Sequence, residues 1–113
     1  MHEMSVAMSI VQSVTDAVSS EGGVVEAVSV RVGAMSGVIP EALMFAWGAA
    51  SGGTALAEAR LEIEWVPAVV WCESCAAERE LPGMRMVCPT CQARCPQLVP
   101  GRELDILSVE MVG

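Results

Sequence analysis

Cysteine placement constrains this chain most. All five cysteines, Cys72, Cys75, Cys88, Cys91 and Cys95, fall within 24 of its 113 residues. Four of them form two pairs, "CESC" and "CPTC", separated by 12 residues. A C-x2-C pair sets two thiolates on one tight turn, and two such turns complete a tetrahedron around zinc. Soft thiolates suit zinc, and a closed four-sulfur site leaves no open position for catalysis. Cys72, Cys75, Cys88 and Cys91 are therefore the expected zinc ligands. A redox-active dithiol is the rival reading. It needs one C-x-x-C at a strand-to-helix junction, whereas here two pairs flank "AAERELPGMRMV", a segment long enough for a short hairpin with Pro82-Gly83 as its turn. Incidental buried cysteines rarely come as two such pairs. Cys95 is surplus, and reads as a free thiol before it reads as a replacement ligand. In a reducing cytosol, expected here because the chain shows no signal peptide or membrane span, such clustering favours metal binding over disulfides.

Around this module the chain alternates helix and strand. Met4, Ala7, Met8, Val11, Val14 and Val18 recur at helical spacing and predict a helix over 4–18, ended by Gly22-Gly23. Met4 and Met8 sit on its apolar stripe and are expected in the core rather than as thioether metal ligands. In "VVEAVSVRVG", Val28, Val30 and Val32 alternate with Ala27, Ser29 and Arg31, the pattern of a half-buried strand over 24–33. Pro40 suits a first helical turn, with Glu41 near the positive helix end. Leu43, Met44 and Trp47 form that helix's expected apolar face, and Gly52-Gly53 its end. Over 57–66, Ala59, Leu61, Ile63 and Trp65 alternate with charged residues until Pro67. Residues 102–112 return to strand character. The expected class is α+β: two helices on a three-stranded sheet, one layer interrupted by a zinc-ribbon-like module. The module spans 68–100, and 1–67 plus 101–113 form the main domain, with Pro67 and Pro100-Gly101 as its hinges.

Charge and composition narrow the function. The net charge is −8, with only six Lys and Arg. Nucleic-acid affinity rests mostly on neutralising phosphates, so no nucleic-acid partner is expected despite Arg79, Arg85 and Arg94 in the module. No apolar run reaches the roughly 18 residues of a membrane span. The start lacks the basic and apolar regions of a signal peptide. No triad, phosphate loop or paired-acid constellation suggests an enzyme.

The chain opens "MHEMS", and His2 is its only histidine. Methionine aminopeptidases need a small second residue, so His2 is expected to keep Met1 in place. An α-amine and an imidazole both shed protons near physiological pH. The Met1 amine, the His2 backbone nitrogen once deprotonated and the His2 imidazole can then converge on one ion. The Glu3 amide or carboxylate supplies a fourth donor. A planar nitrogen-rich set favours Ni(II) or Cu(II). Spacing alone does not raise this above the alternative, an exposed end residue with no role.

The order of these pieces is similar to one family. "MHEMSVAMSIV", "VGAMSGVIPEALMFAW", "GTALAEARLEIEWVPA", the paired knuckles and "GRELDILSVEM" together resemble the HypA/HybF hydrogenase-maturation nickel metallochaperones, from Met1 to about Met111. The resemblance implies a nickel site at the amino terminus, with His2 matching its key ligand and Glu3 the adjacent carboxylate. It implies zinc at Cys72, Cys75, Cys88 and Cys91. The implied role is delivery of Ni(II) to the precursor of the [NiFe]-hydrogenase large subunit with an accessory GTPase, and in some organisms service to urease. A homodimer is among the states it permits. Some members use an acidic residue near the second helix start as a nickel contact; Glu41 occupies that region here, where a helix-end stabiliser is the simpler role. Some carry histidines beside the knuckles, linked to pH-dependent zinc geometry; this chain has none. A zinc-ribbon adaptor without metal transfer is the alternative function.

Overall fold

The computed structural model describes residues 2–112. Helix α1 (Glu3–Val18) is followed by strand β1 (Val24–Gly33), helix α2 (Pro40–Ser51) and strand β2 (Arg60–Val66). Strands β3 (Val69–Cys72) and β4 (Ala77–Glu80) belong to the cysteine module, and β5 (Leu104–Val112) closes the chain. The first sheet has the order β2-β1-β5, with β1 parallel to β2 and antiparallel to β5. Parallel neighbours require a crossover, and α2 supplies it. Two helices and three strands around one core, with a separate β3-β4 hairpin, are the α+β arrangement read from the sequence.

The core forms because each element offers one apolar face. Val6, Ala7, Ile10, Val11 and Val14 of α1 are buried, as are Leu43, Ala46 and Trp47 of α2. They meet Val28, Val30 and Val32 of β1 and Leu61 of β2. The Trp47 indole N–H donates to the Ala59 carbonyl at 2.9 Å, so the large ring is buried with its polar edge satisfied. Three expected core residues lie elsewhere. Met44 is 49% exposed and Met8 58% exposed, because the stripes centre on Leu43/Trp47 and on Ala7/Val11/Val14. Trp65 is also exposed, at the far end of an edge strand whose inner side is closed only as far as Leu61 and, in part, Ile63. Met4 does pack partly against the core.

Ala27 departs from strict alternation: it is as buried as Val28. The β1–β5 register shifts between Val25 and Ala27, and an irregularity of this kind re-phases a strand. β2 begins later than alternation suggests, at Arg60, because Thr54–Ala59 form successive turns around buried Leu56. The outer sheet face is polar. Arg60 pairs with Glu62 at 2.8 Å and Glu110 at 3.2 Å, and Arg31 lies between Glu64 and Asp105.

Backbone bonds close the lobe where the module begins, and Ala34 and Met35 there pack against the module's cluster. The Gly33 amide donates to the Glu103 carbonyl, Ala34 to Val66, and Met35 to Gly101. Gly101 has φ +131°, and a Cβ there would sit 2.8 Å from the Ala68 Cα. Beyond this junction Ala68, Val70, Cys72, Leu81, Cys88 and Cys95 form a second, smaller cluster. The molecule is accordingly long, 54 × 22 × 16 Å, with a radius of gyration of 17.3 Å; a compact chain of this length has about 13 Å.

Candidate metal centres

The two cysteine pairs are built alike. In the first, β3 ends at Cys72 and β4 starts at Ala77, so the knuckle itself is the hairpin turn. The Cys75 amide donates to the Cys72 sulfur at 3.4 Å, and Ala76 adopts a left-handed φ of +51°. In the second, the Cys91 amide donates to the Cys88 sulfur at 3.5 Å, and Gln92 has φ +67°. A bridge between Val87 and Arg94 flanks that turn. Pro82-Gly83 is therefore not the hairpin turn expected from the sequence; it is a bend linking the two knuckles.

The turns face each other. Cys72 Sγ lies 3.5 Å from Cys91 Sγ, and Cys75 Sγ 3.9 Å from Cys88 Sγ. All four sulfurs lie within 4.8 Å of one another. Zinc–sulfur bonds of about 2.3 Å place tetrahedral sulfurs about 3.8 Å apart, so these four residues fit a tetrahedral metal ion. Backbone amides favour the thiolate at two of them. The Cys91 amide, opposed by burial, leads in bringing the Cys88 thiol down to about 6. The Cys75 amide likewise lowers Cys72. At Cys91 a hydrogen bond from the Ala93 backbone acts downward, yet the Cys72 sulfur and burial prevail and push the thiol up to about 12. Cys95 is buried beside the cluster, its thiol raised by that burial, and its S–H points to the Ala93 carbonyl at 3.5 Å.

The amino terminus is organised differently. His2 is exposed and stands at the N-cap of α1, its carbonyl accepting from the Val6 amide at 3.1 Å. Met1 lies outside the described residues. Glu3 opens α1, and its carboxylate accepts a hydrogen bond from the Ile39 amide at 3.1 Å. Ile39 is the N-cap of α2. The Glu3 carboxylate therefore supplies the cap that α2's own sequence lacks, and that bond leads in holding its pKa below the usual carboxylate range. This tie joins the starts of the two helices, and nothing in the local sequence announces it. Glu41 follows in the first turn of α2. Among the described residues, the four cysteines are the one group of three or more metal-ligating side chains that converge; His2, Glu3 and Glu41 do not close up in that way.

Known proteins share this arrangement. The family described as "Hydrogenase/urease nickel incorporation, metallochaperone, hypA" matches residues 1–111. The hydrogenase maturation factor HypA of Chloroflexus aurantiacus is 46% identical, over 97% of this chain and 98% of its own. That of Streptomyces avermitilis is 42% identical, over 96% and 86%. The solution structure of the Ni metallochaperone HypA from Helicobacter pylori superimposes with a TM-score of 0.65 over 99% of this chain and 98% of its own, at 23% identity, a likeness of fold. The sequence similarity is near full length on both sides, and it takes in the amino terminus and both knuckles. The chain belongs to the HypA family of nickel metallochaperones for hydrogenase maturation.

Proposed function

We propose that this protein carries Ni(II) at its amino terminus and delivers it to the precursor of the [NiFe]-hydrogenase large subunit, working with an accessory nickel-insertion GTPase in the cytoplasm. The observation that carries this reading is the family match, which begins at residue 1. The donors are the Met1 amine, the His2 backbone nitrogen and the His2 imidazole, with Glu3 contributing a carboxylate or amide. Each nitrogen must shed its proton to bind, so loading releases protons and weakens in acid.

The placement suits a carrier. His2 is exposed and directly precedes α1, so its donors stand at the start of a packed helix. Few residues need to move, and a partner has access to remove donors in turn. Glu3 has a second task, because its carboxylate already caps α2; any direct bond to nickel through that oxygen competes with the Ile39 amide. The Cys72, Cys75, Cys88 and Cys91 set holds zinc as a structural ion. Cysteines make up half of the module's buried cluster, a composition that a metal can stabilise where aliphatic packing is thin.

Ni(II) titration of the untagged protein, of His2→Ala and of a variant with extra residues before Met1 tests the proposal. The wild type binds one Ni(II) tightly and both variants lose that site. Equal binding by all three contradicts it and favours a zinc-ribbon adaptor.

A further inference from the structure

Strand β4 carries a cation on its inner side. Its residues alternate between half-buried Ala77 and Arg79 and exposed Glu78 and Glu80. Successive strand residues point to opposite faces. Ala77 pairs with Cys72 and Arg79 with Val70, and both partners are fully buried. Arg79 therefore shares the inner face of the hairpin with the first metal ligand.

The guanidinium has no oxygen partner there. Its Nε is buried without a hydrogen bond, and among the described residues it makes no ion pair with a carboxylate. Its charge is favoured by sulfur: the Cys75 and Cys88 side chains stabilise the guanidinium, and the hairpin register sets it on the face of Cys72. A guanidinium is always charged and presents a rigid fork of donors. Holding its Nε–H away from water without an acceptor is costly unless a nearby anion receives it. Four thiolates around a divalent ion leave two surplus negative charges, which is the anion this geometry offers.

We propose that Arg79 is an outer partner of the four-cysteine centre, donating N–H bonds to the Cys75 and Cys88 sulfurs and offsetting the surplus charge of the loaded site. Three consequences follow from the chemistry. The loaded state is favoured over the empty one. Sulfur lone pairs engaged by N–H donors attack electrophiles more slowly. The same donors lower the energy of those lone pairs, which raises the energy of sulfur-to-metal charge-transfer bands. Arg79 touches the ligands and not the ion, so it is a positioning and tuning residue. The inference rests on the reading of the cysteines as a structural metal site.

The test uses full-length untagged protein loaded with Zn(II) or with Co(II) as a coloured substitute. Wild type, Arg79→Met, Arg79→Lys and Arg85→Met are compared; Arg85 lies in the same module but is exposed. Zn(II) affinity is measured by chelator competition, metal release by N-ethylmaleimide challenge, and the charge-transfer band by absorption of the Co(II) form. Arg79→Met is expected to weaken Zn(II) binding by roughly tenfold or more, the usual cost of losing an outer-shell partner. Its release by N-ethylmaleimide is expected to be several-fold faster and its band shifted to lower energy. Arg79→Lys keeps the charge without the fork and falls between. Arg85→Met matches the wild type. Wild-type values for Arg79→Met overturn the proposal. So does weaker binding with an unmoved band, which assigns Arg79 to packing alone. A wild type that binds no Co(II) at the cysteines overturns the metal-site reading and this inference with it.

Discussion

The two halves of this molecule are held by different means. The helical lobe buries sixteen aliphatic, alanine and tryptophan side chains from four elements and their connections in one cluster. The module buries six residues, three of them cysteines. An aliphatic core is stabilised by area removed from water. A core whose centre is thiol is not, because a thiol brings little area and, as thiolate, brings repulsion. The lobe is therefore expected to stand on its own packing, and the module to depend on its metal. The same contrast separates the proposed tasks: an ion closed in by four sulfurs that stays, and an exposed His2 from which an ion leaves.

Metal removal should show the largest effect. Zinc binding to small modules contributes about 10–16 kcal/mol to folding. Chelation, or Cys88→Ala at a fully buried ligand, should abolish amide-exchange protection over 69–99 and leave β1 and α1 protected. Loss of protection in both halves would mean that the lobe leans on the module. The reverse perturbation is smaller. Leu43 is completely buried in the lobe, and Leu43→Ala should cost about 2–5 kcal/mol. Chemical denaturation should register that loss, while zinc content stays at one per chain.

Gly101→Ala probes the joint. The φ of +131° and the contact with Ala68 leave no room for a methyl group. Backbone strain of this kind costs about 1–3 kcal/mol. It should lower protection on both sides of the junction, at Ala34 and Met35 as well as Val69, unlike the two changes above. An effect confined to one side would break the picture of a shared joint.

The smallest effect belongs to Glu3. Its folded pKa is lowered, chiefly by the Ile39 amide. A depressed carboxylate contributes stability that is complete above its unfolded pKa, about 4.3, and is lost as pH falls through the folded value. Glu3→Gln should therefore lower Tm slightly at neutral pH, and the gap from wild type should close in acid. A gap that widens in acid would show that the carboxylate is not the cap of α2.

What was legible in the sequence was local. The knuckles show because their chemistry is written in four consecutive residues, and α2 because Pro40 and the Leu43/Trp47 spacing mark its start and inner face. The errors came where tertiary context decides. Met8 and Met44 are apolar residues next to the stripe, and only packing shows where the stripe ends. Ala27 is buried because of a register shift that no residue type signals. Pro82-Gly83 is a strong turn dipeptide, yet the knuckle turns instead, through left-handed Ala76, where no glycine marks the place. The Glu3–Ile39 bond joins residues 36 apart. Arg79 was within reach: once β4 is aligned on Cys72, alternation puts the cation on the inner face. For the amino terminus, spacing offered a ligand set but favoured an idle histidine; family membership is what turns the reading to the first.

The central claim is that one chain holds two metals in unlike surroundings, nickel at nitrogen and oxygen donors of the amino terminus and zinc at four sulfurs. X-ray absorption at both metal edges, on one sample of untagged protein loaded with one equivalent of each, tests it directly. Only nitrogen and oxygen neighbours are expected at the nickel edge, and four sulfurs at the zinc edge. Sulfur around nickel, or nitrogen and oxygen replacing sulfur around zinc, would contradict it.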